Sequence, residues 1–414
     1  MDQPIGPHTS FAPRAELTGL VLSGGGARAA YQVGVLKAIA QIARANLRER
    51  RAASRNPFDI LVGTSAGAIN ASALAAGADD FQIAVRALVR VWEDFEAGDV
   101  YLSDSIGVVR SGAKWVTALS AGWALRRFAK ARPRSLLDNA PLAELLSGFV
   151  PMERVQARLD DGSLSALAVT VSSYSSGTHI TFYQAAHPVA PWVRSQRLAV
   201  AEHITVTHLL ASSAIPFIFP ARALRLNGRL EYFGDGSMRQ LAPISPAIHL
   251  GAQRILVIGA GRLQEPTLPG ALPDAHYPTL GQIAGHALSS IFLDALALDI
   301  ERLQRVNRTL EGLPPESRLK SGLRPLDVMV ISPSERLDSI AARHIRSLPL
   351  PVRALLGALG GSDERNSALA SYLLFEAPYT RELLALGYAD TMARANELAA
   401  FLGMSAPSET SEAS

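Results

Sequence analysis

The chain has 414 residues, 48% hydrophobic and 19% charged, which describes an ordinary folded globule and excludes intrinsic disorder, collagen-like repeats and low-complexity scaffolds. It contains no cysteine, so a disulfide framework, a thiolate nucleophile and a sulfur-based zinc site are excluded, and any chemistry must use oxygen or nitrogen. The formal net charge of +3 is local in origin: Arg110, Lys114, Arg126, Arg127, Lys130, Arg132 and Arg134 lie in an acid-free block, residues 106–137, outside which acids are in slight excess.

Residues 1–16 show neither a basic start nor an apolar run and are expected to form an N-terminal tail without a secretory signal. Leu17 to Leu22 is a short apolar run leading into Ser23-Gly24-Gly25-Gly26, after which Val33, Leu36 and Ile39 recur at helical spacing. A strand, a glycine turn and a helix are expected there. Phe58 to Val62, the turn Gly63 to Gly67 and the small-residue run Ala68 to Ala76 repeat the pattern. Two such units imply an α/β fold, a mainly parallel sheet covered by helices. The uncharged stretches Ile60 to Ala78 and His203 to Ala221 are long enough to be weighed as membrane spans. Gly63, Thr64, Ser65, Gly67 and Asn70 interrupt the first, and His203, His208, Pro216 and Pro220 the second, so no transmembrane helix is expected.

Within the basic block, Trp115, Leu119 and Trp123 recur every fourth residue, and the same face continues into Arg126 and Lys130. The plainer reading is a cap helix whose tryptophans pack on the core; the alternative is an interfacial lid making peripheral contact with an anionic membrane through residues 106–137. Leu167 to Ser172 and His179 to Tyr183, parted by a Ser/Gly turn, read as a hairpin or adjacent strands, and Arg254 to Ile258 as a buried strand. Gly259 to Gly261 then closes an α/β domain taken as residues 17–261. Beyond it, a Pro/Gly-rich connector leads to a helical stretch from Leu280 to Leu310, a strand-like run from Asp327 to Ile331 and further helices. This is read as a mostly helical extension, residues 262–402, followed by a flexible tail, residues 403–414.

Two turns carry chemistry. Gly24, Gly25 and Gly26 lie between a strand and a helix, where free backbone N–H groups can stabilise an anion. Taken alone, Gly24-x-Gly26-x-x-Ala29 also fits a dinucleotide fingerprint, which needs an acidic or basic residue about 20 positions on; Arg48-Glu49-Arg50-Arg51 can be stretched to either. The second turn is more specific: in Gly63-x-Ser65-x-Gly67 the glycines permit a sharp strand-to-helix elbow that holds a serine hydroxyl above the sheet edge. A serine needs an adjacent base. His249, His276, His286 and His344 are the late histidines of a possible triad, while Asp235, framed by Gly234 and Gly236 after a short aromatic strand, is a carboxylate whose backbone allows it to be aimed.

The combination resembles the patatin-like phospholipase family, from Leu17 to about Gly261. Ser65 matches the family's nucleophile and Asp235 the acid of its histidine-free Ser-Asp dyad. Gly24, Gly25, Gly26, Ala27 and Arg28 match the oxyanion loop, Gly63 and Gly67 the elbow, and Gly236 and Ser237 the acid loop; Ala211 to Pro220 looks like the stretch upstream of the acid. The resemblance implies a patatin-like three-layer sandwich and a serine hydrolase of lipid esters. It further implies no metal or cofactor, no nucleic-acid partner and a cytoplasmic place with peripheral membrane contact; it leaves the oligomeric state open. The sequence departs from the family pattern at Ala29, where Gly is common, and at Ser237, where Gly or Ala is usual. A hydroxyl beside Asp235 is expected to hydrogen-bond the carboxylate and lower its basicity. The alternatives are accordingly a catalytically weak lipid-binding or regulatory relative and, further off, a dinucleotide-dependent oxidoreductase.

Overall fold

The computed structural model describes residues 16–47, 50–102, 135–262, 277, 279–358 and 367–404. The basic block therefore lies outside the described residues except for Ser135, Leu136 and Leu137, as do Trp115, Trp123 and His276.

Ten strands form one sheet: β1 (Thr18–Leu22), β2 (Ile60–Thr64), β3 (Ala166–Ser173), β4 (His179–Ala185), β5 (Val193–Arg194), β6 (Arg197–Ala201), β7 (Arg222–Leu226), β8 (Arg229–Asp235), β9 (Arg254–Ile258) and β10 (Asp327–Ile331). Their order is β10-β9-β1-β2-β3-β4-β6-β5, with the β7–β8 hairpin joined to β3 through β8. The five strands from β10 to β3 are mutually parallel. β4 runs antiparallel to β3, from Ala166 opposite Ala185 to Ser172 opposite His179.

The parallel strands are continuous apolar runs because both faces are covered. Alternation along them sorts the side chains into two layers. Leu20, Leu22, Leu61, Leu167, Val169, Leu256 and Ile258 enter one core, and Val21, Ile60, Val62, Ala166, Ala168, Ile255 and Val257 the other. The first core is closed by helices that include Ala30–Asn46, Ala66–Ala76, Phe81–Glu93 and Ala377–Met392. Helices Ser245–Leu250 and Ala295–Glu311 close the second through Ala247, Leu250, Leu296 and Leu303. This is a three-layer α/β sandwich on a mainly parallel sheet.

Two expectations shift. The strand read at Phe58 to Val62 lies two residues later. Phe58 packs edge-on against Phe81, ring centroids 6.0 Å apart, while the Asp59 carboxylate accepts the Thr18 N–H at 2.8 Å. The chain beyond Gly261 also does more than extend the α/β part. β10 pairs in parallel with β9, from Asp327 opposite Arg254 to Ile331 opposite Ile258. The late helix Ala377–Met392 crosses the first helix, Ala30–Asn46, so closely that neither crossing point has room for a Cβ: one on Gly34 would strike the Leu384 carbonyl and one on Gly387 the Tyr31 carbonyl.

Among the described residues, the helical run Gln282–Glu311 is long and apolar enough to cross a membrane by length and composition. Its Leu288, Phe292, Leu296 and Leu303 are buried within the protein, and the carboxylate of its Asp299 accepts the Ile244 N–H at 3.0 Å. Core helices pass the same test.

Candidate active site

β2 ends at Thr64 and the helix Ala66–Ala76 starts at once, leaving Ser65 to turn the corner alone. Its φ of 56° and ψ of −131° are costly for a residue with a side chain, about 1–3 kcal/mol in such regions. Hydrogen bonds hold it there. The Ser65 N–H donates to Ser212 Oγ at 2.8 Å, and Ser212 Oγ donates to the Thr170 carbonyl at 2.7 Å. Beneath them, Gln240 Nε2 donates to Thr64 Oγ1 at 2.9 Å, and Thr64 Oγ1 shares a 2.7 Å bond with Thr170 Oγ1. Gly63 and Gly67 flank the elbow, with Gly67 pressed against the carbonyls of Leu22 and Ser23.

From this elbow Ser65 Oγ donates to Asp235 Oδ2 at 2.6 Å. Both residues are buried, at 1% and 0% exposure. Asp235 Oδ1 accepts the Ser237 N–H at 2.8 Å. Burial pushes the Asp235 carboxyl up to about 6, outweighing the bonds from Ser65 Oγ and the Ser237 N–H, which favour the charged form. The Ser237 hydroxyl exerts the smallest of the lowering influences and closes no hydrogen bond of ordinary geometry. The expectation that it lowers the basicity of Asp235 holds in direction, but this pull is the weakest of those acting, and desolvation decides the net shift. The hydroxyl faces the glycine loop instead, where a Cβ on Gly24 would collide with it.

The loop follows β1. Gly26 has φ +54°, in the left-handed region, and a Cβ there would strike the Tyr372 carbonyl. Among the described residues the N–H groups of Gly24 and Gly25 have no hydrogen-bond partner. Gly26 shares with Ser65 a pocket whose other walls include Ile69, Trp92, Phe95, Leu146, Phe219 and Phe375. Apart from the Ser65 and Ser213 hydroxyls, no described side chain in its lining carries a polar group other than the Trp92 indole, whose N–H is taken by Asn70 Oδ1 at 2.9 Å. Such an apolar lining suits a hydrocarbon group beside one reactive hydroxyl. Ala27 is buried behind the loop, and Arg28 does not line this pocket.

No late histidine among the described residues reaches the pair. His249 stacks on Trp192, centroids 4.6 Å apart; His344 Nε2 lies 2.5 Å from Glu382 Oε2; His286 is exposed. The buried His179 is a neighbour that no local sequence signal marks. Its Nε2 lies 3.1 Å from the Gly236 carbonyl, which can only accept, so Nε2 carries the proton. Burial lowers its pKa to about 4, which leaves the ring neutral at pH 7. The stretch Ala211 to Pro220 also acquires roles. The Ala214 carbonyl accepts from the Asp235 N–H at 3.0 Å and the Ser212 carbonyl from the Gly236 N–H at 3.2 Å, so one segment ties the elbow to the acid loop. The residues weighed for a dinucleotide ribose, Arg48 and Glu49, lie outside the described residues.

A family model described as patatin-like phospholipase matches residues 20–248, more than half of the chain. No curated protein matches. Among solved structures, the chain is similar to VipD from Legionella pneumophila, at 14% identity over 92% of this chain and 67% of that one, with a TM-score of 0.29. It is also similar to ExoU from the type III secretion system of Pseudomonas aeruginosa, solved in complex with SpcU, at 14% identity over 94% of this chain and 79% of that one, with a TM-score of 0.24. At those scores neither likeness bears on the activity of this chain.

Proposed function

Because the chain belongs to the patatin-like phospholipase family, a family of phospholipase-type hydrolases, we propose that it is a serine lipid acyl hydrolase working through a Ser65–Asp235 dyad. The observation that carries this reading is the buried 2.6 Å bond to Asp235 Oδ2 from the Oγ of Ser65, a residue that lines an apolar pocket.

Asp235 accepts the Ser65 proton as Oγ bonds to the ester carbonyl carbon. The carbonyl oxygen becomes an oxyanion stabilised by the N–H groups of the Gly24–Gly26 loop, where one lost donor typically costs about 3–4 kcal/mol of barrier. The C–O bond to the leaving group breaks, Asp235 returns the proton to the departing alkoxide, and the acyl group stays on Ser65. A water then gives its proton to Asp235 and attacks the acyl carbon; release of the fatty acid restores both residues. A pKa raised to about 6 makes Asp235 a stronger base than an ordinary carboxylate, yet leaves it mostly ionised at pH 7.

The test is labelling with a fluorophosphonate probe, mapping of the modified residue, and assay of short- and long-chain esters. Labelling at Ser65 with ester turnover, both lost in Ser65→Ala, is expected. Labelling without turnover on any ester favours the catalytically weak relative. No labelling at Ser65 overturns the dyad; a dinucleotide enzyme has no use for the Ser65–Asp235 contact. Peripheral contact with anionic membranes through residues 106–137 belongs to the same proposal, and salt-sensitive co-sedimentation with anionic liposomes tests it.

A further inference from the structure

Arg28 follows the glycine loop directly, yet it lines a second pocket together with Arg262, Arg336, Ser289, Leu337 and Asp338. This pocket shares no lining residue with the apolar pocket of Ser65. The Arg28 side chain belongs to a residue only 4% exposed. Its Nε donates to Ser371 Oγ at 2.8 Å, and its guanidinium carbon lies 4.0 Å from the centroid of the Tyr372 ring. Neither contact supplies a counter-charge. Among the described residues Arg28 has no ion pair, and its two terminal nitrogens have no acceptor. A buried cation in that condition is expensive unless something pairs with it.

Among the described residues the pocket walls do not provide the partner. Asp338 is the one carboxylate in that lining, and Arg336 bonds both of its oxygens, with Nη2 at 2.7 Å from Oδ2 and Nε at 3.3 Å from Oδ1. Burial alone would raise the Asp338 carboxyl, but Arg336, with a weaker pull from Arg28, holds it below its usual range, so it stays a carboxylate. Arg262 has no ion pair among the described residues either. Three arginines thus line the pocket with one carboxylate, itself already paired with Arg336. That excess suits a dianion with several oxygens, which planar guanidinium forks bind in pairs of parallel hydrogen bonds.

We propose that the Arg28–Arg262–Arg336 pocket binds a phosphoryl group, carried by a lipid headgroup or by a free phosphomonoester, and that the bound anion braces the oxyanion loop through Arg28. Arg28 lies in the same 3-10 turn as Gly26, residues Gly26–Ala29, so a ligand that fixes the guanidinium also fixes the backbone that aims the loop N–H groups. Binding is independent of the hydrolase reading; the effect on the loop rests on it.

The test is calorimetric titration of the full-length protein with inorganic phosphate and glycerol 3-phosphate, against chloride at constant ionic strength. It is paired with co-sedimentation on phosphatidylcholine vesicles with and without phosphatidic acid. Saturable phosphate binding is expected, weakened by about tenfold in Arg336→Gln and in Arg262→Gln as each removes a charge-assisted contact. Arg346→Gln, which removes an exposed cation outside the pocket, should leave it unchanged. Soluble anions binding without any preference for phosphatidic acid would identify a free phosphomonoester. Vesicle binding that depends on phosphatidic acid and falls in Arg336→Gln would identify a headgroup. Phosphate binding no tighter than chloride, or equally weakened by Arg346→Gln, overturns the site. Faster fluorophosphonate labelling of Ser65 in the presence of phosphate supports the brace, and phosphate binding with unchanged labelling removes the brace while keeping the site. If Ser65 is never labelled, the hydrolase reading fails and the binding result stands.

Discussion

Ser65 and Asp235 meet along one edge of β3. Thr64 pairs with Thr170 and Asp235 with Val171, so the parallel strand β2 ends where the antiparallel strand β8 arrives, and the two side chains close the junction at 2.6 Å. The opposite edge of β3 is occupied by β4 along the same residues. The contact is therefore a consequence of register, and a one-residue slip of β8 would turn the carboxylate to the other face of the sheet.

The raised carboxyl sets the pH dependence of the proposed reaction. Ester hydrolysis should rise through a midpoint near pH 6, where Asp235 ionises, and then level off. A profile of kcat/KM from pH 3 to 9 checks this, and a midpoint near 4 would show that burial does not raise the Asp235 carboxyl. Asp235→Asn should abolish turnover at every pH.

The same shift makes a stability prediction of opposite sign to that of a salt-bridged carboxylate. The folded-state value lies above the unfolded one, so the folded protein holds the proton more tightly between about pH 4 and 6, and this group's contribution falls as pH rises through that window. Asp235→Asn, which cannot ionise, should be more stable than the wild type at pH 7.5, by up to about 2–3 kcal/mol. The gain should vanish near pH 4. Melting temperatures of both proteins at the two pH values are the measurement.

Strain at the elbow is separable from chemistry. Ser65→Ala and Ser65→Gly both remove the nucleophile, but only glycine relaxes the positive φ. Ser65→Gly should therefore be the more stable of the two, by about 1 kcal/mol. Equal melting temperatures would mean that the turn holds Ser65 without strain.

Adjacent serines should behave differently. Ser212→Ala strands the Ser65 N–H and the Thr170 carbonyl, both buried, and should cost about 2 kcal/mol while lowering kcat. Ser213→Ala removes a buried hydroxyl with no partner and should be neutral or slightly stabilising. Denaturant unfolding of the two variants compares them directly.

Ser237→Ala should keep the amide bond to Asp235 and remove only the weakest of the influences that lower its pKa. Turnover should survive, with the pH midpoint moved up by less than about one unit. A large loss of activity would assign the hydroxyl a direct part in the reaction.

How much of the molecule is legible in the sequence depends on where each signal is stored. Leu17 to Leu22, Arg254 to Ile258 and Asp327 to Ile331 read as strands because burial on both faces makes them uninterrupted apolar runs, a local property. β6 and β7 carry no such mark, since these strands near the margin of the sheet hold Arg197, Arg222 and Arg225 and read as polar surface. The place of β10 beside β9 is a pairing across distant segments, which no window of sequence contains, so Asp327 to Ile331 reads as part of an extension. Ser65 and Asp235 can be picked out because flanking glycines mark them locally. Ser212 and His179 act through hydrogen bonds that reach groups 147 and 57 residues away, and nothing beside them in the chain announces it.

The reciprocal contact of Gly34 and Gly387 has a kinetic meaning. The helix Ala30–Asn46 lacks this neighbour until the helix Ala377–Met392 has been synthesised, and Gly26 of the glycine loop likewise rests on the Tyr372 carbonyl. Such long-range closure slows folding, and a chain emerging from the ribosome in order cannot complete the loop before its C-terminal helices are free. Activity should consequently appear only once the helix Ala377–Met392 has left the ribosome, with nascent chains arrested at residue 261 remaining unlabelled by a serine probe.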